Sequence, residues 1–225
     1  MTEAWRLEAN RATLRTPELS AMLDATQPGL GLQSVFRGEQ KVADSLFGVG
    51  LESETLRLVD CFVRTSDLVG RYETANGQTH LTAYWRLSHA EGSGIGIDLV
   101  ASVSTDVLEA FPDLRSSSTY RDSNAVLWQA GDDANEKSDR AVIVAGDGWS
   151  AVELPLEGSH AEPSVPTDGE QPSVSWRLAS GFMEKGVIRR AVLRCRLQHG
   201  ASQPSDTQVA AWLEDLRVPG PPLSA

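Results

Sequence analysis

Apolar and polar residues alternate one by one along much of this 225-residue chain, and this alternation limits its possible folds more than any other feature. Successive side chains of an extended strand point to opposite faces, so a period of two indicates strands with one buried and one solvated face. The clearest case is Thr79 to Ser88, and Ile95 to Thr105 repeats the pattern. The segment HAEGSG between them predicts a hairpin loop, because it is rich in turn-forming glycine.

Shorter apolar segments, bounded by Gly, Pro, Asn and Asp, follow the same pattern elsewhere. They predict strands at 12–14, 19–23, 32–36, 56–64, 68–73, 125–129, 141–145, 149–156, 174–179 and 187–197. Near the C-terminus the apolar spacing becomes helical around Trp212, with Ser205 or Asp206 as a candidate N-cap. We therefore expect an all-β protein, an antiparallel β-sandwich with one short C-terminal helix.

The length is compatible with one large β domain or with two smaller ones, and we expect residues 1–225 to form a single β-sandwich domain. The segment from Gly158 to Pro172 carries three prolines and almost no large apolar residue. Such a composition predicts a long surface loop within the domain.

The composition argues against several classes of partner. There are 20 basic and 31 acidic residues, for a formal net charge of -11. This charge repels phosphate backbones and anionic lipid surfaces, so we expect neither nucleic acid nor membrane as a partner.

The N-terminal segment MTEAWRLEANRATL has no signal-peptide pattern, which favours a cytoplasmic location. Cys61 and Cys195 lie within apolar runs, which indicates reduced core thiols.

Motifs for metal or nucleotide binding are missing from the sequence. The four histidines have no metal-ligand spacing from one another or from a cysteine, so we expect no metal ion and no cofactor. The glycines of EGSGIGID precede a predicted strand instead of opening a helix. No helix N-terminus would then face a phosphate, and these residues are better interpreted as hairpin glycines.

The polar face of the predicted strand at 79–88 supplies the best candidates for ligand binding. His80, Tyr84 and Arg86 share this face, and Arg64 and Asp67 belong to the preceding predicted hairpin. On a concave sheet these side chains could offer hydrogen-bond donors and acceptors to a polyhydroxylated ligand. The competing interpretation is an ordinary solvated strand face.

The six tryptophans offer a second route to a sugar, because indole rings can stack on the apolar face of a pyranose. Trp85 and Trp176 are in phase with aliphatic neighbours, which predicts that they pack in the core. Trp149 follows Gly148 at a predicted turn and is the tryptophan with most freedom to be exposed. We therefore include Trp149 among the candidate ligand-binding residues.

Two carboxylates are candidates for acid/base chemistry. Glu184 lies in the segment GFMEKGVIRR at the start of a late strand, and Glu153 lies in an earlier predicted strand. An acid/base residue requires a carboxyl group that points into a pocket. The competing interpretation for both is a salt bridge at a strand end, with Lys185 or an arginine.

Three segments together resemble a known family. The order of LSAMLDATQPGLGLQSV, then RTSDLVGRYE with LTAYWRL, then FMEKGVIRRAVLR is similar to that in the β-supersandwich of galactose mutarotase-like proteins. The resemblance implies a supersandwich fold and a carbohydrate ligand. In the aldose epimerases of this family a histidine and a late glutamate exchange the proton that opens the sugar ring. This implies His80 and Glu184 as catalytic residues, although neither lies in a recognisable copy of the epimerase motifs.

The sequence leaves three functions open, and with them the question of whether the protein is an enzyme. The first is a carbohydrate-binding β-sandwich without catalytic activity. The second is a sugar-active enzyme of the epimerase or lyase type. The third is a structural module whose sheet edges or faces bind another protein. The oligomeric state cannot be predicted from these patterns.

Overall fold

The computed structural model describes residues 4–90, 94–129, 140–155, 161–165, 172–200 and 204–217. It confirms the predicted all-β sandwich. In chain order the strands are β1 (Trp5–Glu8), β2 (Arg11–Arg15), β3 (Leu19–Asp24), β4 (Leu32–Arg37), β5 (Gln40–Leu51), β6 (Leu56–Arg64), β7 (Asp67–Thr74), β8 (Thr79–Ala90), β9 (Gly94–Thr105), β10 (Leu114–Tyr120), β11 (Ser123–Gln129), β12 (Arg140–Gly146), β13 (Trp149–Pro155), β14 (Glu162–Ser164), β15 (Ser173–Ala179) and β16 (Ile188–His199).

The strands form two antiparallel sheets of eight strands each. The first has the order β1-β2-β3-β4-β5-β10-β15-β14, and the second has the order β11-β12-β13-β16-β9-β8-β7-β6. A short 3-10 helix (Pro28–Leu30) connects β3 to β4. One edge of the first sheet lies beside one edge of the second, where the indole N–H of Trp5 on β1 donates to the carbonyl of Ser66 after β6.

The centre of the second sheet is a regular ladder. β8 and β9 pair without a register shift from Thr79 opposite Thr105 to Ala90 opposite Gly94. The strands therefore extend into the predicted hairpin loop, of which residues 91–93 lie outside the described part of the chain. β16 continues the ladder on the other side of β9. Because the register is unbroken, side chains on either face line up in straight rows across the strands.

The core lies between the two sheets and contains buried residues from both. Trp85 and Trp176 are 0% and 1% exposed, which confirms their predicted place in the core. The indole N–H of Trp85 donates to the carbonyl of Phe47 at 3.1 Å. Cys195 is buried, Cys61 is half-buried, and both are free thiols as predicted. Burial raises the pKa of Cys61 to about 11, so its thiol stays protonated at neutral pH.

The carboxyl group of Glu153 on β13 is fully buried between the sheets. The Tyr120 hydroxyl donates to its Oε1 at 2.6 Å, and the Trp176 indole N–H donates to its Oε2 at 2.6 Å. Burial raises the pKa of Glu153, while hydrogen bonds from these two groups and from Ser118 oppose the rise. Among the described residues, the hydrogen-bond partners found for the buried Glu153 carboxyl group are these neutral donors, instead of the pocket or the strand-end salt bridge expected from the sequence.

The predicted C-terminal helix is α1 (Asp206–Arg217). Ser205 caps it: its hydroxyl accepts from the backbone N–H of Gln208, whose side-chain oxygen accepts from the N–H of Ser205. Val209 and Trp212 pack on the outer side of the second sheet, in a small core whose sheet residues are Ala141, Ile143, Val152 and Leu154. The helix therefore covers β12 and β13, and its Trp212 also lies 5.8 Å from the guanidinium of Arg196 on β16.

The segment predicted as a long surface loop, 158–172, lies partly outside the described residues. Within it, Glu162–Ser164 form β14, which pairs with β15 at the edge of the first sheet. Its middle residue, Pro163, is compatible with an edge strand because proline cannot donate to a second neighbour. In the described ranges no helix is long and apolar enough to cross a membrane.

The buried carboxyl group makes the stability of the protein depend on pH. Because the folded-state pKa of Glu153 is raised, the folded protein binds its proton more tightly than the unfolded chain does, and stability falls as pH rises through that pKa. Glu153→Gln keeps the side-chain size but cannot ionise. Urea unfolding between pH 5 and pH 8 should show the variant gaining stability over the native protein as pH increases.

The exposed Glu109 provides a matched control for this measurement. Glu109→Gln should follow the native pH profile throughout. A constant difference between native protein and Glu153→Gln at every pH would contradict the assignment of a raised pKa to Glu153.

Candidate functional site

The half of the outer face away from α1 is formed by the outward side chains of β7, β8, β9 and β16, which we call the polar face. Most of these side chains are polar, and the outward Val69 and Val100 are buried. One row of charged side chains crosses this face from strand to strand. The row begins with Arg64, the last residue of β6. Register places Arg64 opposite Asp67, Asp67 opposite Arg86, Arg86 opposite Asp98, and Asp98 opposite Arg194. These five residues, the charge ladder, alternate in sign across five neighbouring strands.

Arginine forks hold the two carboxylates of the charge ladder. Arg86 donates from Nε to Asp67 Oδ1 at 2.8 Å and from Nη2 to Oδ2 at 2.6 Å. Arg194 binds Asp98 in the same way, at 2.7 Å and 2.8 Å. The Asp67 and Asp98 side chains are 9% and 7% exposed, whereas those of Arg86 and Arg194 are 28% and 24% exposed. The guanidinium groups therefore form the accessible surface of the ladder.

Two further hydrogen-bond effects fix the ladder in place. The hydroxyl of Ser88 donates to Asp98 Oδ1 at 3.0 Å, which adds a third hydrogen bond to that carboxylate. The hydrogen bond to Asp67 raises the pKa of Arg86, so its charge is secure at any physiological pH. Two-pronged arginine–carboxylate pairs define orientation as well as charge. The donors on this face are thus held in fixed directions.

Hydroxyl groups follow the charge ladder along the strands. In the next row Tyr84 lies half-buried between Val69 and Val100. In the row after that, Thr82 and Ser102 pair with each other across β8 and β9. The sequence therefore brings an aromatic hydroxyl and two aliphatic hydroxyls to the middle of the polar face.

Arginines border this row of hydroxyls on both sides. Arg71 on β7 pairs with Thr82, and Arg190 on β16 pairs with Ser102. Both arginines are exposed, and the guanidinium of Arg71 lies 5.2 Å from the centre of the Phe62 ring.

His80 lies at the far end of the polar face. Its Nε2 is 2.9 Å from Oδ2 of Asp106, and its side chain is 39% exposed. The hydrogen bond with His80 lowers the pKa of Asp106. An imidazole held by a carboxylate at an accessible position can accept or deliver a proton, so the pair is chemically suited to acid/base work.

Glu184 lies in the connection between β15 and β16 and is exposed. Its backbone carbonyl accepts from Val187, and Gly186 of the same turn donates to the carbonyl of Thr105. Since Thr105 pairs with Thr79, next to His80, this turn lies at the same end of the sheet as His80. The observed partner of the imidazole is nevertheless Asp106.

The structure contradicts the expected exposure of Trp149. Its side chain points into the core, the residue is only 3% exposed, and its ring stacks on that of Tyr120 at 6.0 Å between centroids. The ring lies against Gly146, where an added Cβ would be 2.2 Å from it. Lack of a side chain at Gly146 thus leaves the space that Trp149 fills. Trp149 does not lie on the polar face.

Of the residues predicted from the sequence, His80, Tyr84, Arg86 and Asp67 lie on the polar face, and Arg64 on β6 extends the charge ladder beyond it. Sequence analysis missed Asp98 and Arg194 as their partners, and also Asp106. All three are polar residues at or beside predicted strands, so the sequence pattern could have marked them as outward-facing candidates. Their pairing could not be found locally, because Asp98 and Arg194 are 96 residues apart.

Within the described ranges, no group of three His, Cys, Asp or Glu side chains could hold a metal ion. An open cleft of about 720 Å³ is lined by Asn10, Thr26 and residues 55–61, beside the edge strand β6. No residue of the charge ladder lines this cleft, so it is separate from the polar face.

Comparisons with known proteins place the fold in a recognised class. Heparan sulfate lyase HepC from Pedobacter heparinus matches 91% of this chain with a TM-score of 0.58 and 10% identity. A mutant of the same lyase gives the same values. This chain spans only 38% of the length of the lyase. A protein from Escherichia coli K12, titled "putative aldose 1-epimerase", matches 84% of this chain and 98% of its own, with a TM-score of 0.55 and 8% identity.

These matches confirm the resemblance to the galactose mutarotase-like β-supersandwich at the level of fold. No family model matches the chain, and no curated protein matches it in sequence. Shared fold does not define a shared activity, because unrelated sites occur on one architecture.

Removal of one arginine from the charge ladder tests how tightly it is held. Arg86→Met leaves the Asp67 carboxylate, which is 9% exposed, without either of its fork hydrogen bonds. We expect the free energy of unfolding to fall by about 1.5–3 kcal/mol, as for other lost hydrogen bonds to charged groups. Denaturant titration measures this change.

The exposed Arg190 on the same face provides the control. Arg190→Met should change stability by less than about 0.5 kcal/mol, as is usual for exposed positions. Equal effects of Arg86→Met and Arg190→Met would show that the fork to Asp67 contributes nothing to stability.

Proposed function

We propose that this protein binds a carbohydrate on its polar face. The observation that carries the proposal is the charge ladder, in which arginine and aspartate side chains are fixed in orientation beside a row of hydroxyl groups. Sugar hydroxyls both donate and accept hydrogen bonds, so they are matched by surfaces that offer fixed donors and acceptors together.

The N–H groups that Arg86 and Arg194 do not use in their forks are suited to sugar hydroxyls, which can accept hydrogen bonds. The hydrogen bonds from Arg86 to Asp67 use Nε and Nη2, and those from Arg194 to Asp98 use the same two atoms. The Nη1 group of each guanidinium is not part of its fork. A guanidinium has five N–H donors, so donors are left for a ligand after both forks are formed.

The charges of the ladder favour a neutral sugar at the ladder itself, while Arg71 and Arg190 add positive charge beside the hydroxyl row. The ladder alternates in sign, and Arg86 and Arg194 are each neutralised by an aspartate. A polyanion would have to compete with these carboxylates and would also meet a chain of net charge -11. The carbohydrate-active proteins among the structural neighbours support the ligand class, but not the choice of sugar.

Binding through the hydroxyl row is tested by Thr82→Ala. Thr82 lies in the middle of the polar face, and loss of one ligand hydrogen bond of about 1 kcal/mol should weaken sugar binding roughly fivefold. Glycan-array screening identifies a binding sugar, and isothermal titration calorimetry then measures its affinity for native and variant protein.

Thr13→Ala is the matched control, because Thr13 is an exposed strand threonine on the first sheet. Its affinity should equal that of the native protein. Equal weakening by both variants would place the binding site away from the polar face, and a screen without any binding sugar would refute the proposed function.

A second candidate function, sugar ring opening, is favoured by one observation, the hydrogen bond between His80 and Asp106. In this proposal His80 and Glu184 serve as the acid/base pair at one end of the polar face. Glu184 would have to approach the substrate from the turn that Gly186 anchors to Thr105.

Polarimetry on freshly dissolved α-anomers tests this second function. The native protein should accelerate equilibration, and Glu184→Gln should reduce the acceleration by at least a hundredfold, as is typical for loss of a general acid/base. Glu39→Gln, which changes an exposed glutamate in the turn between β4 and β5 of the first sheet, should retain the full rate. An unchanged rate for Glu184→Gln would remove Glu184 from the mechanism.

A further inference from the structure

A group of exposed apolar side chains lies at the His80 end of the second sheet. Large apolar residues are usually buried, and clustered exposed ones often mark a binding surface. The group, which we call the apolar patch, consists of Leu108, Phe111, Phe182, Val187 and Ile188, which are 78%, 72%, 45%, 41% and 68% exposed.

Two neighbouring connections present the apolar patch. One joins β9 to β10 and the other joins β15 to β16, and they are linked by a pair of backbone hydrogen bonds between Ala110 and Met183, at 3.0 Å and 2.8 Å. Met183 is 1% exposed and anchors its connection in the core. The rings of Phe111 and Phe182 lie 5.8 Å apart between centroids.

An arginine further restrains the second connection. The guanidinium of Arg189 donates to the backbone carbonyls of Ser180, Gly181 and Phe182. Together with the link between the two connections, these bonds hold the apolar patch in one arrangement. The exposure of its rings is therefore a property of the folded protein.

The apolar patch is continuous with the polar face. Ile188 pairs with Ser104, and Ser104 pairs with His80, so the three occupy one row across β16, β9 and β8. Asp106, the partner of His80, belongs to the same connection as Leu108 and Phe111. A ligand that lies along the polar face therefore reaches Ile188, and Phe111 and Phe182 follow along the two connections that lead from this end of the second sheet to the first sheet.

The length of this combined surface exceeds one sugar ring. Arg86 and His80 are six positions apart on β8, so their Cα atoms are about 20 Å apart at the usual rise of a strand. The apolar patch lies beyond that distance. Since the rim of a pyranose carries hydroxyls and its ring face carries C–H groups, a chain of sugars can use both parts of the surface.

We propose that the ligand is a neutral oligosaccharide, whose rings along the polar face are bound through hydroxyls and whose ring at the His80 end packs on Phe111 and Phe182. This inference rests on the proposed carbohydrate-binding function and defines its ligand as a chain instead of a single sugar.

The charges around the apolar patch favour this occupant over a second copy of the protein. Asp106, Glu109 and Glu184 are exposed in the two connections and outnumber the positive charges there, Lys185 and the Arg189 that binds backbone carbonyls. In a symmetric dimer the same patch meets itself, so these carboxylates would be brought together at a cost in free energy. A neutral sugar chain has no such cost.

Isothermal titration calorimetry with matched sugars tests the inference. The probes are glucose, N-acetylglucosamine, galactose, mannose and xylose, each as the monosaccharide and as its linear β-1,4-linked hexamer. At least one hexamer should bind the native protein ten or more times as tightly as its own monosaccharide. Phe111→Ala with Phe182→Ala should remove that gain and leave monosaccharide affinity unchanged.

Leu30→Ala, which changes an exposed apolar residue on the first-sheet side, is the control and should retain the gain. The double phenylalanine variant should also keep the native melting temperature, because both rings are accessible. Hexamers that bind no more tightly than monosaccharides, or that bind the double variant normally, would overturn the inference while the proposed function stands.

Two other results would also be decisive. If none of these sugars binds, both the inference and the proposed function fail. If sedimentation shows a native dimer that the double variant dissociates, the apolar patch is a contact between copies, and the inference is overturned.

Discussion

The candidate site depends on the antiparallel register that holds β7, β8, β9 and β16 together. A shift of one residue in any of these strands would turn its outward side chains into the core. The inner faces prevent such a shift, because they carry residues such as Trp85, Leu99 and Leu193 that are fully buried. The same hydrophobic packing that stabilises the sandwich therefore aligns the charge ladder on the opposite face.

Carboxyl groups occur in two different environments in this protein, on the polar face and in the core, and the two environments affect their ionisation differently. On the polar face, Asp67 and Asp98 are nearly buried but paired with arginines that remain in contact with solvent. In the core, Glu153 has only neutral donors around it, and burial raises its pKa. The first arrangement retains charge at an accessible surface, whereas the second favours a neutral carboxylic acid in the interior.

The sequence predicted those parts of the fold in which local pattern and burial agree. β8 and β9 have one apolar and one polar face throughout, so a period of two located them. β5 was missed because it buries residues on both faces and contains Phe47 at a positive φ of 57°, with register shifts against β10. Its Gly48 packs against the backbone, because an added Cβ there would lie 2.1 Å from the carbonyl oxygen of Gly29.

The candidate site was predicted only in part for a related reason. Alternation along β8 shows that Tyr84 and Arg86 share a face, but not which residues lie opposite them. The partners Asp98 and Arg194 come from pairing across the sheet, which depends on the complete fold. The burial of Trp149 likewise depends on the space above Gly146 on the neighbouring strand.

The central claim is that carbohydrate binds on the polar face of the second sheet. Chemical-shift mapping of backbone amides during titration with a sugar identified by screening tests it most directly. The account predicts shifts concentrated in β7, β8, β9 and β16, and centred on Thr82, Tyr84 and Arg86. Shifts concentrated instead at the cleft formed by Asn10, Thr26 and residues 55–61 would contradict it.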